Sequence, residues 1–463
     1  MCSINDCNFD GNDDKVLKNT KDLSTDAIIC RKCKCKNVDV LLVDQSGYCN
    51  VCFLNVINHK FRAALGKSKI IRHGDSILVD HSGELNSTVL LHLIKAGMNE
   101  STHKKLIFKT TVLYIHDDIM TKKTHEERVL LECKIAKEVK DFGFNGYAVS
   151  ISQVLNKEDA LDVRPIDQEI NNENDSQLQL ILTNLLDDTS RMDLVDQLRR
   201  KLLLSAARIL NCNKIFVADS AVDIATKVLG DICLGRGAQL STQANFCDAR
   251  CEDIKILKPM RDFTQQELIY YSEYHKINFV KLKEPNMSTI TSIQALAHNF
   301  TMGLESQFSG TVSTVFRTAD KISSKGDMQQ NVEDNCVLCD TRLDFTSSDD
   351  KVTAIRAIEV SRLVSSKHID AKAPLGNEEN GKSNCFDSRP NNECCDGNTK
   401  CECRDSKKKQ VTMKDVWSYL CYSCRLIFRN SELSSTLPSS LLFAIQQRVA
   451  LKNMREEIND FLL

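Results

Sequence analysis

Twenty-one of the 463 residues are cysteine, and eight of those fall into four C-x2-C pairs. Cys30-x2-Cys33 is followed after 15 residues by Cys49-x2-Cys52, which is the spacing of a zinc ribbon. Each pair forms a tight knuckle that turns two thiolates toward one tetrahedral ion. Cys35 is near enough to be a substitute ligand. The second set, Cys336-x2-Cys339 and Cys421-x2-Cys424, is split by 81 residues. Closing a long polar loop costs little more for each doubling of its length, so these two knuckles can also share one metal. The alternative is separate exposed thiols, or participation by Cys394, Cys395, Cys401 and Cys403. Four thiolates leave no position for water, so both centres read as structural zinc sites and neither as catalytic.

A different chemistry attaches to Ser82-Gly83-Glu84-Leu85-Asn86-Ser87, which follows the apolar run Ile77-Leu78-Val79 and precedes the helical pattern Thr88 to Lys95. A Ser/Gly turn from strand to helix offers backbone N–H groups and the positive dipole end to phosphate. The same residues also serve as plain helix caps. Upstream, Lys60, Arg62, Lys67, Lys69 and Arg72 are interleaved with His59, Phe61 and His73 and have no acid among them. That stretch suits either a phosphate backbone or a solvated linker helix. Phe53, Val56, Ile57, Phe61 and Leu65 recur at helical spacing, so their face is core packing rather than a base-stacking platform. Cys133 lies in a helical pattern and reads as a core thiol, and Cys247-x3-Cys251 reads as two separate thiols before a redox or cluster pair.

The elements that must position these groups alternate short apolar runs with longer helical ones from Ser76 to about Lys283, the pattern of a parallel sheet covered by helices. Strands are expected near Ile77–Val79, Leu106–Ile115, Tyr147–Ile151, Ile215–Val217 and Ile254–Leu257. Helices are expected over Glu126–Phe142, Ser176–Leu186, Met192–Leu210 and Val222–Leu234, and Thr264-Gln265-Gln266-Glu267 is a capping box that opens another. Two more helical patterns cover Thr291–Phe308 and Thr311–Ile322, and the acidic stretch Glu158–Asp175 reads as a surface insertion. A last amphipathic helix runs from Ser440 to Leu463.

The organisation that follows is a polar tail over 1–25, a zinc ribbon and basic linker helix over 26–74, and an α/β domain over 75–330. A C-terminal zinc module with its helix comes from 331–345 and 411–463, around a largely disordered insert, 346–410. Within that insert, between Gly376 and Gln410, the only apolar side chain other than cysteine is Phe386, too little burial to repay ordering. A net charge of -2 excludes a globally basic nucleic-acid coat, so any polyanion site must be local. No run reaches 18 apolar residues, and Met1-Cys2-Ser3-Ile4-Asn5-Asp6 lacks a signal-peptide pattern. A cytoplasmic chain without membrane contact is expected, and in that reducing compartment paired cysteines point to metal.

The ribbon, the stretch Phe53 to Gly66 (F-L-N-V-I-N-H-K-F-R-A-A-L-G), the Ser-Gly loop, Lys258-Pro259-Met260-Arg261-Asp262-Phe263-Thr264, and Thr311-Val312-Ser313-Thr314-Val315-Phe316-Arg317-Thr318 occur in one order. In that order, and in Cys421-Tyr422-Ser423-Cys424-Arg425, the sequence resembles the cytoplasmic tRNA 2-thiolation protein 2 family of the PP-loop superfamily over about 28–340 and 415–430. The resemblance implies an α/β fold of the PP-loop (adenine nucleotide alpha hydrolase-like) type, a parallel sheet with helices on both faces. To it are added the N-terminal zinc ribbon and the split four-cysteine module. It also implies a heterodimer with cytoplasmic tRNA 2-thiolation protein 1, acting on the wobble uridine of lysine, glutamate and glutamine tRNAs. The partner would adenylate the uridine, and a thiocarboxylated ubiquitin-related modifier would supply the sulfur. With the resemblance, Lys60, Arg62, Lys67, Lys69 and Arg72 become tRNA contacts.

The superfamily loop S-G-G-x-D-S maps onto Ser82, Gly83, Glu84, Leu85, Asn86 and Ser87, with Glu84 in place of the second Gly and Asn86 in place of the Asp. A carboxylate inside a phosphate cradle repels the triphosphate, which argues against ATP on Ser82, Gly83 and Ser87. The superfamily's G-H-N-x-D-D falls on Ala218 to Asp223 and loses its His and Asn. A largely non-catalytic subunit is the favoured reading. The alternatives are an ATP-dependent sulfurtransferase acting by itself, for which a working loop is the discriminating feature, and a zinc-ribbon scaffold or adaptor, against which the long α/β unit stands.

Overall fold

A computed structural model describes residues 29–35, 38–43, 46–100, 105–117, 125–156, 158–280, 291–308, 310–322, 335–343, 412–429 and 437–462. The tail over 1–25 and the insert over 346–410 lie outside the described residues. The chain divides into two compact units, 1–175 with 187–325, and 176–186 with 326–463.

The first unit opens with a two-stranded antiparallel ribbon, β1 (Val40–Leu41) and β2 (Gly47–Tyr48), leading into helix α1 (Asn50–Ser68). Then follow β3 (Ser76–Asp80), α2 (Leu85–Asn99), β4 (Lys109–His116), α3 (His125–Phe142), β5 (Asn145–Ser150), β6 (Arg164–Pro165), α4 (Asp175–Thr183), α5 (Asp188–Ile209), β7 (Lys214–Phe216) and α6 (Ala221–Cys233). The unit ends with α7 (Leu240–Ala244), β8 (Cys247–Asp248), β9 (Lys255–Leu257), α8 (Gln265–His275), α9 (Ile293–Gln307) and α10 (Thr311–Asp320). Most of α4 belongs to the second unit.

Seven strands form one sheet in the order β6-β5-β4-β3-β7-β9-β8. The five inner strands are parallel, with Val79 opposite Val112 and Phe216, while β6 and β8 pair antiparallel at the edges. These two-residue edge strands are not legible as apolar runs, because Arg164-Pro165 and Cys247-Asp248 contain no such run. Parallel strands buried on both faces read as continuous apolar runs, as Ile77-Leu78-Val79 does. Alternate side chains divide between the faces. Ile77, Val79, Val112, Tyr114 and Phe216 share a core with Phe53, Ile57, Phe61 and Leu65 of α1, with α2, with α3, and with Leu268 and Tyr271 of α8. On the other face α5 lies against β7. A smaller core joins α6, α7 and α10 through Val222, Ala225, Leu240, Val312 and Phe316.

The second unit contains Ser176–Leu186, an isolated bridge between Asn335 and Arg342, and three further helices, α11 (Met413–Ser418), α12 (Tyr422–Ile427) and α13 (Ser439–Leu462). Its core includes Val416, Leu420, Ile427, Phe428, Leu437, Leu441 and Ile445, with α11 packed on α13. Among the described residues no helix is long and apolar enough to cross a membrane.

Candidate functional site

The thiols of Cys30, Cys33, Cys49 and Cys52 lie within 4.8 Å of one another. The Cys33 and Cys49 sulfurs are 3.7 Å apart, close to the edge of about 3.8 Å in a tetrahedron built with zinc–sulfur bonds of about 2.3 Å. The knuckle geometry comes from the backbone. Lys34 adopts a left-handed conformation with φ 62, Lys34 N–H donates to Cys30 O at 2.9 Å, and Cys30 N–H donates to Cys35 O at 2.8 Å. Cys49 sits at the N-cap of α1, so Cys52 is presented from that helix's first turn. Backbone N–H groups of Cys33 and Cys49 bring the Cys30 thiol down to about 6, toward the thiolate that a metal requires. The donor set fits a four-thiolate ion.

Cys336, Cys339, Cys421 and Cys424 form a second set within 4.8 Å, and all four are buried. Cys339 and Cys421 sulfurs are 3.6 Å apart across the 81-residue separation. Cys336 N–H donates to Thr341 O at 2.6 Å, and Val337 N–H donates to Tyr419 O at 3.0 Å, tying the first knuckle to the turn before the second. Cys421 is the N-cap of α12. Among the described residues, the split pair therefore closes from Cys336, Cys339, Cys421 and Cys424; Cys394, Cys395, Cys401 and Cys403 lie outside the described residues.

Ser82 to Ser87 joins β3 to α2 where the strand order reverses, with β4 on one side of β3 and β7 on the other. Open parallel sheets bind ligands at such a point. Gly83 has φ +81, and a Cβ there would stand 3.0 Å from Ile135 of α3, so any other residue would be strained and crowded. The loop's own groups are engaged with one another. Ser82 and Ser87 hydroxyls are 3.2 Å apart, Ser82 Oγ donates to Glu84 Oε2 at 3.3 Å, and Glu84 N–H donates to Ser82 Oγ at 3.3 Å. Asn86 Nδ2 donates to Asp223 Oδ2 at 3.0 Å, bridging to the loop after β7. There Ser220 and Asp223 form the capping box of α6.

Charged groups surround the loop. Arg199 of α5 pairs with Asp80 at 2.8 Å and Asp117 at 3.0 Å, closing the ends of β3 and β4. Lys227 pairs with Asp219 at 2.8 Å. Lys258, at the end of β9, is buried, donates to Gln243 O, and is pushed down by burial to about 8. Glu84 lies within electrostatic reach of Asp117, Asp223 and Arg199. The acids Asp80, Glu84, Asp117, Asp219 and Asp223 outnumber Arg199, Lys227 and Lys258, an arrangement that disfavours a triphosphate. Arg199 and its partners belong to no recognisable motif. Their signal in the sequence is an acid at the end of each strand, Asp80 after Val79, Asp117 after His116 and Asp219 after Ala218.

The basic residues of α1 and its exit divide by role. Lys60 Nζ donates to both Glu267 oxygens, at 2.8 and 2.6 Å, and lies 5.1 Å from the Phe263 ring centroid. Arg62 pairs with Glu100. Lys67, Lys69 and Arg72 are exposed and have no ion pair among the described residues. The stretches 258–264 and 311–318 are docked on each other: Arg261 pairs with Asp320 at 3.1 Å and lies 5.2 Å from the Phe316 ring centroid, and Arg317 pairs with Asp262 at 3.3 Å. Cys133, expected in the core, is instead exposed, because Leu131, Ile135 and Val139 supply the buried face of α3 and Cys133 points away from them. Cys251 donates to Asp253 at 2.8 Å and meets Arg208 at 3.2 Å, while Cys247 packs against the main core.

Five parallel inner strands, a Ser-Gly loop at the switch point of their sheet and two four-cysteine clusters define an α/β protein in which that loop is occupied by its own side chains. The family model described as cytoplasmic tRNA 2-thiolation protein 2 matches residues 292–426. The cytoplasmic tRNA 2-thiolation protein 2 of Drosophila willistoni is 32% identical over 349 residues, which cover 73% of this chain and 82% of that relative. Protein 2-A of Xenopus laevis is 27% identical over 495 residues, 94% of each chain. The chain belongs to the cytoplasmic tRNA 2-thiolation protein 2 family. Among solved structures, a U34-tRNA thiolase from Methanococcus maripaludis with its 4Fe-4S cluster is similar over 66% of this chain and 92% of its own, at 16% identity and a TM-score of 0.48.

Proposed function

We propose that this protein is the largely non-catalytic subunit of a cytoplasmic tRNA 2-thiolation complex, pairing with cytoplasmic tRNA 2-thiolation protein 1 as the catalytic chain. The substrate is the wobble uridine of lysine, glutamate and glutamine tRNAs, carried toward 5-methoxycarbonylmethyl-2-thiouridine. Sulfur comes from a thiocarboxylated ubiquitin-related modifier, and the partner performs the adenylation. Family membership supports the pathway. The observation that supports the division of labour is the filled loop, in which Glu84 takes the place of a cradle glycine and Asn86 is bonded to Asp223. Zinc in both four-cysteine centres holds the knuckles and supplies no reaction step. Lys67, Lys69 and Arg72 are the cations of the basic stretch available to an RNA backbone.

The test is ATP-dependent thiolation of a wobble-uridine tRNA by this chain alone, by its partner alone, and by both together. Full activity confined to the mixture is the expected result. Thiolation by this chain alone would overturn the reading in favour of an autonomous sulfurtransferase. In the same system, reversing Lys67, Lys69 and Arg72 to Glu should weaken tRNA binding at least about tenfold and lower its salt dependence, since every cation withdrawn from a phosphate reduces the salt slope by about one.

A further inference from the structure

The two four-cysteine centres contain the same knuckle, and they differ in the group that stands beside its second cysteine. In the C-terminal centre Asp340 is left-handed with φ 57, its N–H donates to Cys336 O at 3.0 Å, and Cys336 N–H returns to Thr341 O. In the N-terminal centre Lys34, Cys30 and Cys35 make the same three arrangements. Thr341 and Cys35 therefore occupy equivalent places, two residues past the second cysteine of the knuckle. Thr341 Oγ1 is 2.9 Å from Cys339 Sγ, a hydroxyl beside a ligand sulfur. Cys35 puts a thiol there instead, with its Sγ 3.2 Å from Cys33 Sγ and also in contact with the Cys49 thiol. Threonine cannot replace a thiolate on a soft metal, whereas cysteine can. The exposure differs in the same sense, since Cys33 is exposed and all four C-terminal ligands are buried.

On the reading that both centres hold metal, we propose that Cys35 is a reserve ligand of the N-terminal centre and exchanges with Cys33. When the metal–sulfur bond to Cys33 breaks and one to Cys35 forms, the Cys35 thiol proton passes to the released Cys33 thiolate. The ion keeps four thiolates and the centre keeps its charge, with no oxidant or reductant required. The C-terminal centre, with Thr341 in that place, has no such exchange.

The experiment uses the full chain loaded with zinc, comparing it with Cys33→Ser, Cys35→Thr and the double variant, and measures metal per chain after gel filtration. Two ions are expected in the parent, in Cys35→Thr and in Cys33→Ser, and one in the double variant. Loading with cobalt(II) should give the Cys33→Ser variant the thiolate charge-transfer intensity of four sulfurs at each centre. Loss of one ion from Cys33→Ser, or a three-thiolate spectrum, overturns the proposal. A parent holding fewer than two ions instead overturns the metal reading on which it rests. Brief alkylation of the zinc-loaded parent, followed by peptide mass spectrometry, gives a measurement that needs no variant. Label divided between Cys33 and Cys35 is expected, and label on Cys35 alone overturns the exchange.

Discussion

Glu84 is the residue on which the nucleotide question turns, and its effect comes from its neighbours as much as from its own charge. Replacing it with glycine removes one acid but leaves Asp80, Asp117, Asp219 and Asp223, with Arg199 held by two of them. The expected outcome for Glu84→Gly is no ATP binding by calorimetry at millimolar nucleotide. A micromolar dissociation constant would show that the loop is merely weakened. Asp75 is a different case, a charge kept for structure. Burial works against its ionisation, but Lys214 at 2.7 Å, Arg72 N–H and Asn213 hold its carboxyl below the usual range. Its contribution is complete above the unfolded carboxylate value of about 4 and is lost as pH falls through the lowered folded one. Asp75→Asn leaves Lys214 buried without a counter-charge, a change that costs about 3–5 kcal/mol. Urea unfolding at neutral pH should show a loss of that size.

At the scale of elements, α2 and α8 meet through His92 and Tyr271, whose Nδ1 and hydroxyl are 2.9 Å apart, with the His275 ring tilted by 43° to that of His92 at 4.5 Å between centroids. Burial, aided by the charge of His275, holds His92 down to about 4. Between about 4 and the unfolded value of about 6.5, the unfolded chain takes up a proton that the folded one refuses, so stability falls as pH drops through that window. His92→Phe should flatten this slope relative to the parent in denaturant titrations at pH 7 and 4.5. A different pair of elements, α11 and α12, depends on the C-terminal centre. Trp417 of α11 is the only tryptophan in the chain and lies in that unit. Cys424→Ser should shift its emission to the red as the knuckle opens, and Cys30→Ser should leave it unchanged. Equal shifts in both variants would contradict two separately organised centres.

For the whole molecule, the stretches that carry the family resemblance serve mainly to assemble the first unit. Lys60 of α1 reaches Glu267, which also caps α8 by accepting Thr264 N–H, so one carboxylate joins a helix start to a helix 207 positions away. Arg261 and Arg317 likewise lock 258–264 onto α10. The sequence by itself determined the cysteine pairs, the strand at Ile77–Val79, the capping box at Thr264 and the helical face of α1. Each of these is written in spacing that local backbone geometry reads directly: two thiols per knuckle, period 3.6 on a helix, apolar runs for strands buried on both faces. What only the tertiary structure decided depends on groups far apart in sequence. Lys60 and Arg62 look as free as Lys67 in the sequence, and their acids, Glu267 of α8 and Glu100 just after α2, come from other parts of the chain. Cys133 turns outward because Leu131, Ile135 and Val139 take the sheet. Arg199 reaches Asp80 and Asp117 only because α5 crosses the ends of two strands, and Cys339 meets Cys421 across 81 residues. Ion pairs and metal tetrahedra need atoms to converge within a few ångströms, and that convergence is fixed by packing rather than by spacing along the chain.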